Sequence, residues 1–176
     1  MKKGLKIFIV AMSLVLVIAT AVGTTLALLT AKTTTITNTF TIGKIEISLD
    51  ETERTYKLVP GAVLDKDPTV TVKSGSEACY LFVKIDKQEN LDLVTYEIAD
   101  GWTLLETGVY YRTVAATNAD TPFEVLKDNK VYVSINATST DLTAAKGKTL
   151  SFTAYACQKE YVDTAAQAWT AVNANP

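Results

Sequence analysis

From residue 39 onward, apolar and polar residues alternate, and that period of two limits the fold more than any other feature of the chain. Successive side chains of a strand point to opposite faces, so strict alternation marks strands with one buried face. Thr39-Phe40-Thr41-Ile42 and Lys44-Ile45-Glu46-Ile47-Ser48-Leu49 alternate around Gly43, and Val70-Thr71-Val72-Lys73 gives a short strand. Residues 79–86 place Cys79, Leu81, Val83 and Ile85 on one face, with Tyr80, Phe82 and Lys84 on the other. Both faces are apolar at its start, which predicts a central strand with core on one side and an aromatic cover on the other. Further strands are expected over 94–98, 102–106, 109–114, 131–137 and 149–157. Turn signals separate them: Pro60-Gly61, residues 65–68, Ser74-Gly75-Ser76, Asp100-Gly101, Thr107-Gly108 and Asp128-Asn129. Short strands with frequent turns predict an all-β chain folded as an antiparallel β-sandwich.

The two ends read differently. Near the C-terminus, Asp163-Thr164 can cap a short helix carrying Ala165, Ala166, Trp169 and Val172 at helical spacing. Its expected role is to fold Trp169 onto the sandwich. At the N-terminus, Lys2, Lys3 and Lys6 precede an uncharged run over residues 7–31 that contains the small-x-Ala site Thr25-Leu26-Ala27. That order of charged, apolar and small residues is that of a signal peptide, with cleavage after Ala27 and a mature chain starting at Leu28. The run is also long enough for a retained membrane anchor, since about 20 apolar residues span a bilayer. Either outcome puts the bulk of the protein outside the cytoplasm, secreted or at the cell surface. The expected organisation is therefore a signal helix over 1–27, a strand arm over 28–40, a sandwich over 41–160 and a helical tail over 161–176.

Composition removes several functions. The chain has no histidine, hence neither the usual general base near neutral pH nor the commonest metal ligand. After residue 27, 14 basic residues face 19 acidic ones, because three of the 17 basic residues and no acid precede it. The net charge of −5 suits a soluble exported protein and disfavours a nucleic-acid partner. Asp65 with Asp67, and Asp50 with Glu51, are paired acids without the spacing of a calcium loop. No catalytic residue, metal or cofactor is expected. Cys79 and Cys157 have no metal or redox spacing. Export permits a disulfide between them, and two buried thiols are the equal alternative.

The blocks Thr25-Leu26-Ala27-Leu28-Leu29-Thr30 and Asn38-Thr39-Phe40-Thr41-Ile42-Gly43 resemble the TasA/camelysin family of Gram-positive bacteria. So do Leu58-Val59-Pro60-Gly61, residues 66–70, Ala78-Cys79-Tyr80-Leu81-Phe82-Val83-Lys84, Tyr110-Tyr111-Arg112, residues 154–158 and residues 165–169. The resemblance implies a jelly-roll-like sandwich, export through a dedicated SipW-type signal peptidase, and a structural role in biofilm matrix or surface fibres. It also implies assembly with itself or with related matrix proteins, as a main or accessory subunit, by donation of the N-terminal strand. The family's peptidase label is discounted, because a zinc peptidase needs about three protein ligands.

The arm has its own physical case for strand donation. Leu28, Leu29, Thr33, Thr35, Ile36 and Thr37 have high β-propensity, and residues 28–40 contain no proline or glycine to interrupt pairing. A strand added to an open sheet edge satisfies a row of backbone hydrogen bonds while its side chains enter pockets. The alternatives are the first strand of the same sandwich and a free arm. A competing function is a monomeric surface module that binds extracellular polysaccharide, with Tyr80, Tyr96, Trp102, Tyr110 and Tyr111 lining one groove.

Overall fold

The computed structural model describes residues 3–28 and 43–174, with side chains described for 3–16 and 43–174. It comprises two compact units, residues 1–41 and residues 42–176, each described by itself. The first contains α1 (Lys3–Leu28). Thr25, Ala27 and Leu28 of the expected cleavage site fall within α1, and their side chains lie outside the described residues. The same holds for Leu29, Thr33, Thr35, Ile36 and Thr37 of the arm and for the expected strand at 39–42. Among the described residues no helix is long and apolar enough to cross a membrane.

The second unit is built from antiparallel sheets, as the alternation demands. Its strands are β1 (Ile47–Asp50), β2 (Val63–Asp65), β3 (Thr69–Val72), β4 (Cys79–Lys87), β5 (Val94–Ile98), β6 (Thr103–Glu106), β7 (Val109–Val114), β8 (Thr121–Glu124), β9 (Leu126–Val133) and β10 (Leu150–Gln158). One layer is the sheet β10-β4-β7-β6. The other is two short sheets, β1-β3-β8 and β2-β9-β5. These two continue one another, because β2 runs into β3 and β8 into β9, and β2 pairs with β9 where β3 pairs with β8. The result is a sandwich-like fold whose second layer is bent, with β1 flanking only its β3 half and β5 only its β9 half.

The bend lies at residues 127–130. Pairing of β5 with β9 jumps from Tyr96↔Val131 to Ile98↔Leu126, so one residue faces four. Asp128 and Asn129 both take φ of 53°, the left-handed conformation that asparagine and aspartate tolerate best. The expected turn is thus present locally, but the chain continues in β9 on both sides of it.

Strand β4 occupies the interior position that its two apolar faces predict. Its Cys79, Leu81, Val83 and Ile85 join Val70, Val72, Val94, Leu126, Val131 and Val133 in the core between the layers. Its Tyr80 and Phe82 face the other way and are covered by α3 (Ala165–Ala174). Thr164 caps α3: its Oγ1 accepts from Gln167 N at 3.2 Å, and Gln167 Oε1 accepts from Thr164 N at 3.2 Å. That reciprocal box satisfies two donors at the helix start. Trp169 packs on Phe82 and edge-on against Tyr155, and its Nε1 donates to Glu106 at 2.8 Å. The helix therefore seals the outer face of the four-stranded sheet.

The β6–β7 turn requires its glycine. Gly108 has φ of 75°, and a Cβ there would lie 2.8 Å from the Ile85 carbonyl oxygen. The register corrects the disulfide option. Cys79 and Cys157 are free thiols. Cys157 sits opposite Tyr80, whereas Cys79 sits opposite Gln158, so the sulfurs project from opposite faces of the sheet.

Candidate functional site: an open seam and a closed one

A two-layer sandwich has two seams, where the edge strands of one layer meet those of the other. At the first, Trp102 precedes edge strand β6, and Phe123 lies on edge strand β8. The Arg112 guanidinium from β7 lies between them, 4.0 Å from the Phe123 ring centroid and 5.3 Å from that of Trp102. Trp102 Nε1 donates to the Glu124 carbonyl at 2.8 Å, tying β6 to β8. Burial holds the Arg112 pKa below its ordinary value, and its Nε has no hydrogen-bond partner among the described residues. Stacking and one hydrogen bond close this seam.

At the second seam β1 still approaches β10, and the layers part beside β2. The edge strands here are β10 and β2, and β1, which flanks β3, stops at Asp50. Residues 51–58 then run on without forming a strand, so among the described residues nothing pairs with the outer edge of β2. A cleft of about 1180 Å³ opens there, between residues 54–58, β2 and residues 142–152. Its apolar wall includes Leu58, Leu64, Leu142, Leu150 and Phe152, and it reaches the buried core residues Leu91, Val94 and Val131.

One buried ion pair stands in this cleft. Lys66 is only 7% exposed and bonds to Glu51, which accepts its proton donor through Oε1. The Lys66 ammonium also lies 5.0 Å from the Tyr56 ring and 5.2 Å from that of Phe152. Tyr56 donates to the Glu53 carbonyl at 2.6 Å, and burial, with the charge of Glu51 behind it, pushes its hydroxyl up to about 12. Asp67 accepts from Thr52 N at 3.0 Å and from Thr52 Oγ1 at 2.6 Å, and these bonds hold its carboxyl below the usual range. A buried pair is weak evidence for stability, but removing one partner strands the other charge. Neither charge can therefore be removed alone without leaving the other buried in the cleft wall.

Around this fixed centre the rim is cationic. Arg54, Lys57, Lys146 and Lys148 line the cleft, all exposed, and among the described residues no ion pair involves any of them. Lys146 and Lys148 flank Gly147, whose φ of 76° turns the chain from α2 (Ser139–Ala145) into β10. Helix α2 is held at its start by a capping box between Thr138 and Asp141.

The fold and this site define a class: an antiparallel β-sandwich with one sealed seam and one open, apolar, cation-rimmed seam. The chain matches no protein-family model, no curated protein and no solved structure.

The residues singled out in sequence are distributed plainly. Of the five aromatics expected to share a groove, Tyr80 and Tyr111 lie under α3, whereas Tyr96, Trp102 and Tyr110 border the core on the opposite face. They do not form one surface. Asp65 bonds to Lys130, Asp67 to Thr52 and Glu51 to Lys66, so the paired acids are engaged separately. Among the described residues no three metal-ligating side chains converge. The cleft carries little signal in the sequence, because its lining comes from five separated stretches; Lys146-Gly147-Lys148 is the visible one.

Proposed function

We propose that this chain is a secreted structural protein of the cell surface or extracellular matrix that assembles by strand donation, as the TasA/camelysin resemblance implies. Residues 28–40 are the donor strand. The acceptor is the open seam, where β2 and β10 have no strand on their outer edges among the described residues, beside a cleft into the core. That unpaired pair of edges is the observation that carries the reading, since an added strand is what satisfies such an edge. Donor and acceptor are different surfaces, so the contact is head-to-tail and propagates into a filament. In this reading the fold is a jelly-roll-like sandwich, the export signal is processed after Ala27, and the partners are copies of itself or related matrix proteins.

The test compares the exported chain with the same chain lacking residues 28–40, by light scattering after size exclusion and by electron microscopy. Filaments from the first and folded monomers from the second are expected. Folded monomers from both at high concentration would remove self-assembly as the function.

A further inference from the structure

The charge around the open seam runs against that of its own unit. Four of the 17 basic residues, Lys2, Lys3, Lys6 and Lys32, and no acid precede residue 43. Residues 43–176 therefore hold 13 basic against 19 acidic residues, a net charge of −6. Yet the cleft lining has five cations, Arg54, Lys57, Lys66, Lys146 and Lys148, and a single acid, Glu51. Lys66 and Glu51 satisfy one another, which leaves four cations on the rim without an ion pair among the described residues. An apolar floor under a cationic rim is complementary to an occupant whose apolar face alternates with negative charge.

The chain's own arm does not have that character. Residues 28–40 carry Lys32 and no acid, so the arm approaches the rim with like charge. Resting on the strand-donation reading, we infer that the acceptor cleft prefers an acidic strand from a different chain, alternating apolar residues with Asp or Glu, over residues 28–40 of a second copy. Backbone pairing with the β2 and β10 edges is common to both donors, so self-pairing persists as the weaker contact. The rim charges decide between them. An acidic donor that occupies the cleft blocks the next copy and ends a filament. The two unpaired strand edges favour a strand over an alkyl anion, which offers no backbone to satisfy them.

Exposed ion pairs contribute modestly, and two or three such pairs amount to about a tenfold preference at low salt. The test titrates fluorescently labelled peptides into the full chain and reads polarisation. The probes are residues 28–40, a strand peptide of the same length with Val and Glu alternating, the same peptide with Lys for Glu, and laurate as a competitor. The inference expects the acidic peptide to bind about tenfold tighter than residues 28–40, with an advantage that shrinks as salt rises. K146Q/K148Q, which leaves Arg54 and Lys57, is expected to shrink the preference, and K146E/K148E, which brings the rim charge to zero, to level it, while both keep the native circular dichroism spectrum. Equal or tighter binding of residues 28–40 overturns the inference and leaves strand donation standing. Binding of neither peptide overturns both. Displacement of the acidic peptide by laurate, with no effect of laurate on residues 28–40, makes the cleft an alkyl-anion site and overturns the inference.

Discussion

Both seams of the sandwich hold a cation between two aromatic rings, and they do opposite things with it. Arg112, between Trp102 and Phe123, has no acidic partner among the described residues and closes the β6–β8 seam by stacking. Lys66, between Tyr56 and Phe152, is neutralised by Glu51 and stands in the wall of an open cleft. Guanidinium is planar and weakly hydrated, so it can be sandwiched without a counter-charge at small cost, whereas an ammonium needs an anion when buried. The same arrangement thus lines a tied seam in one case and the wall of a cleft in the other. Unpaired strand edges are a liability in a stable monomer. Among the described residues both seams carry such edges, and those of β2 border a cleft that reaches the core.

The sharpest way to break this contrast is at the closed seam. Trp102→Ala removes the ring over Arg112 and the bond to Glu124, and is expected to cost about 3 kcal/mol in urea unfolding. Arg112→Met keeps much of the packing and removes a buried, unpartnered Nε, so it should cost less than half as much. At the open seam, Lys66→Ala strands Glu51 and should cost about 3 kcal/mol, whereas the double change Lys66→Met with Glu51→Leu should be within about 1 kcal/mol of the parent. A double variant as damaging as the single one would show that the pair itself stabilises the wall.

A smaller effect separates the seams by pH. Tyr56 is neutral in the folded protein up to about 12, against 10 in the unfolded chain. Its contribution is complete below pH 10 and is lost as pH rises from 10 to 12, because the unfolded chain gives up the proton first. Unfolding by urea across that range should show a slope that Tyr56→Phe reduces and Arg112→Met does not. Smallest of all, K146E/K148E should change stability by less than about 0.5 kcal/mol, since exposed lysines without partners support nothing in the fold.

The strands that sequence reading located best are those that pack most. For β5 and β7 the expected bounds, 94–98 and 109–114, are those observed, and β4 needed one residue more. Each alternates strongly and sits against both neighbours or the core. The strands that escaped notice have physical reasons for it. β2 is three residues long with Val63 and Asp65 exposed, and β8 contains Pro122, which weakens a strand signal and is tolerated there because β8 is an edge. Strand β9 begins five residues earlier than expected, at Leu126 rather than 131, because its bulge at Asp128-Asn129 looks like a strand end. Helix α2 had a capping signal in Thr138 and Asp141, but seven residues give too little periodicity to read. The cleft was illegible for a different reason: it exists only where residues 51–58 fail to extend β1 alongside β2, and failure to pair leaves no local pattern.

The most direct measurement of the central claim is photo-crosslinking from the donor arm. A photoreactive phenylalanine analogue at Thr35, in a mixture of isotopically light and heavy copies under assembly conditions, reports which residues the arm touches and on which copy. Mixed light–heavy crosslinks to residues 64–66 and 150–152 are the predicted result. Crosslinks confined to a single copy, or to surfaces away from β2 and β10, would contradict strand donation into the open seam.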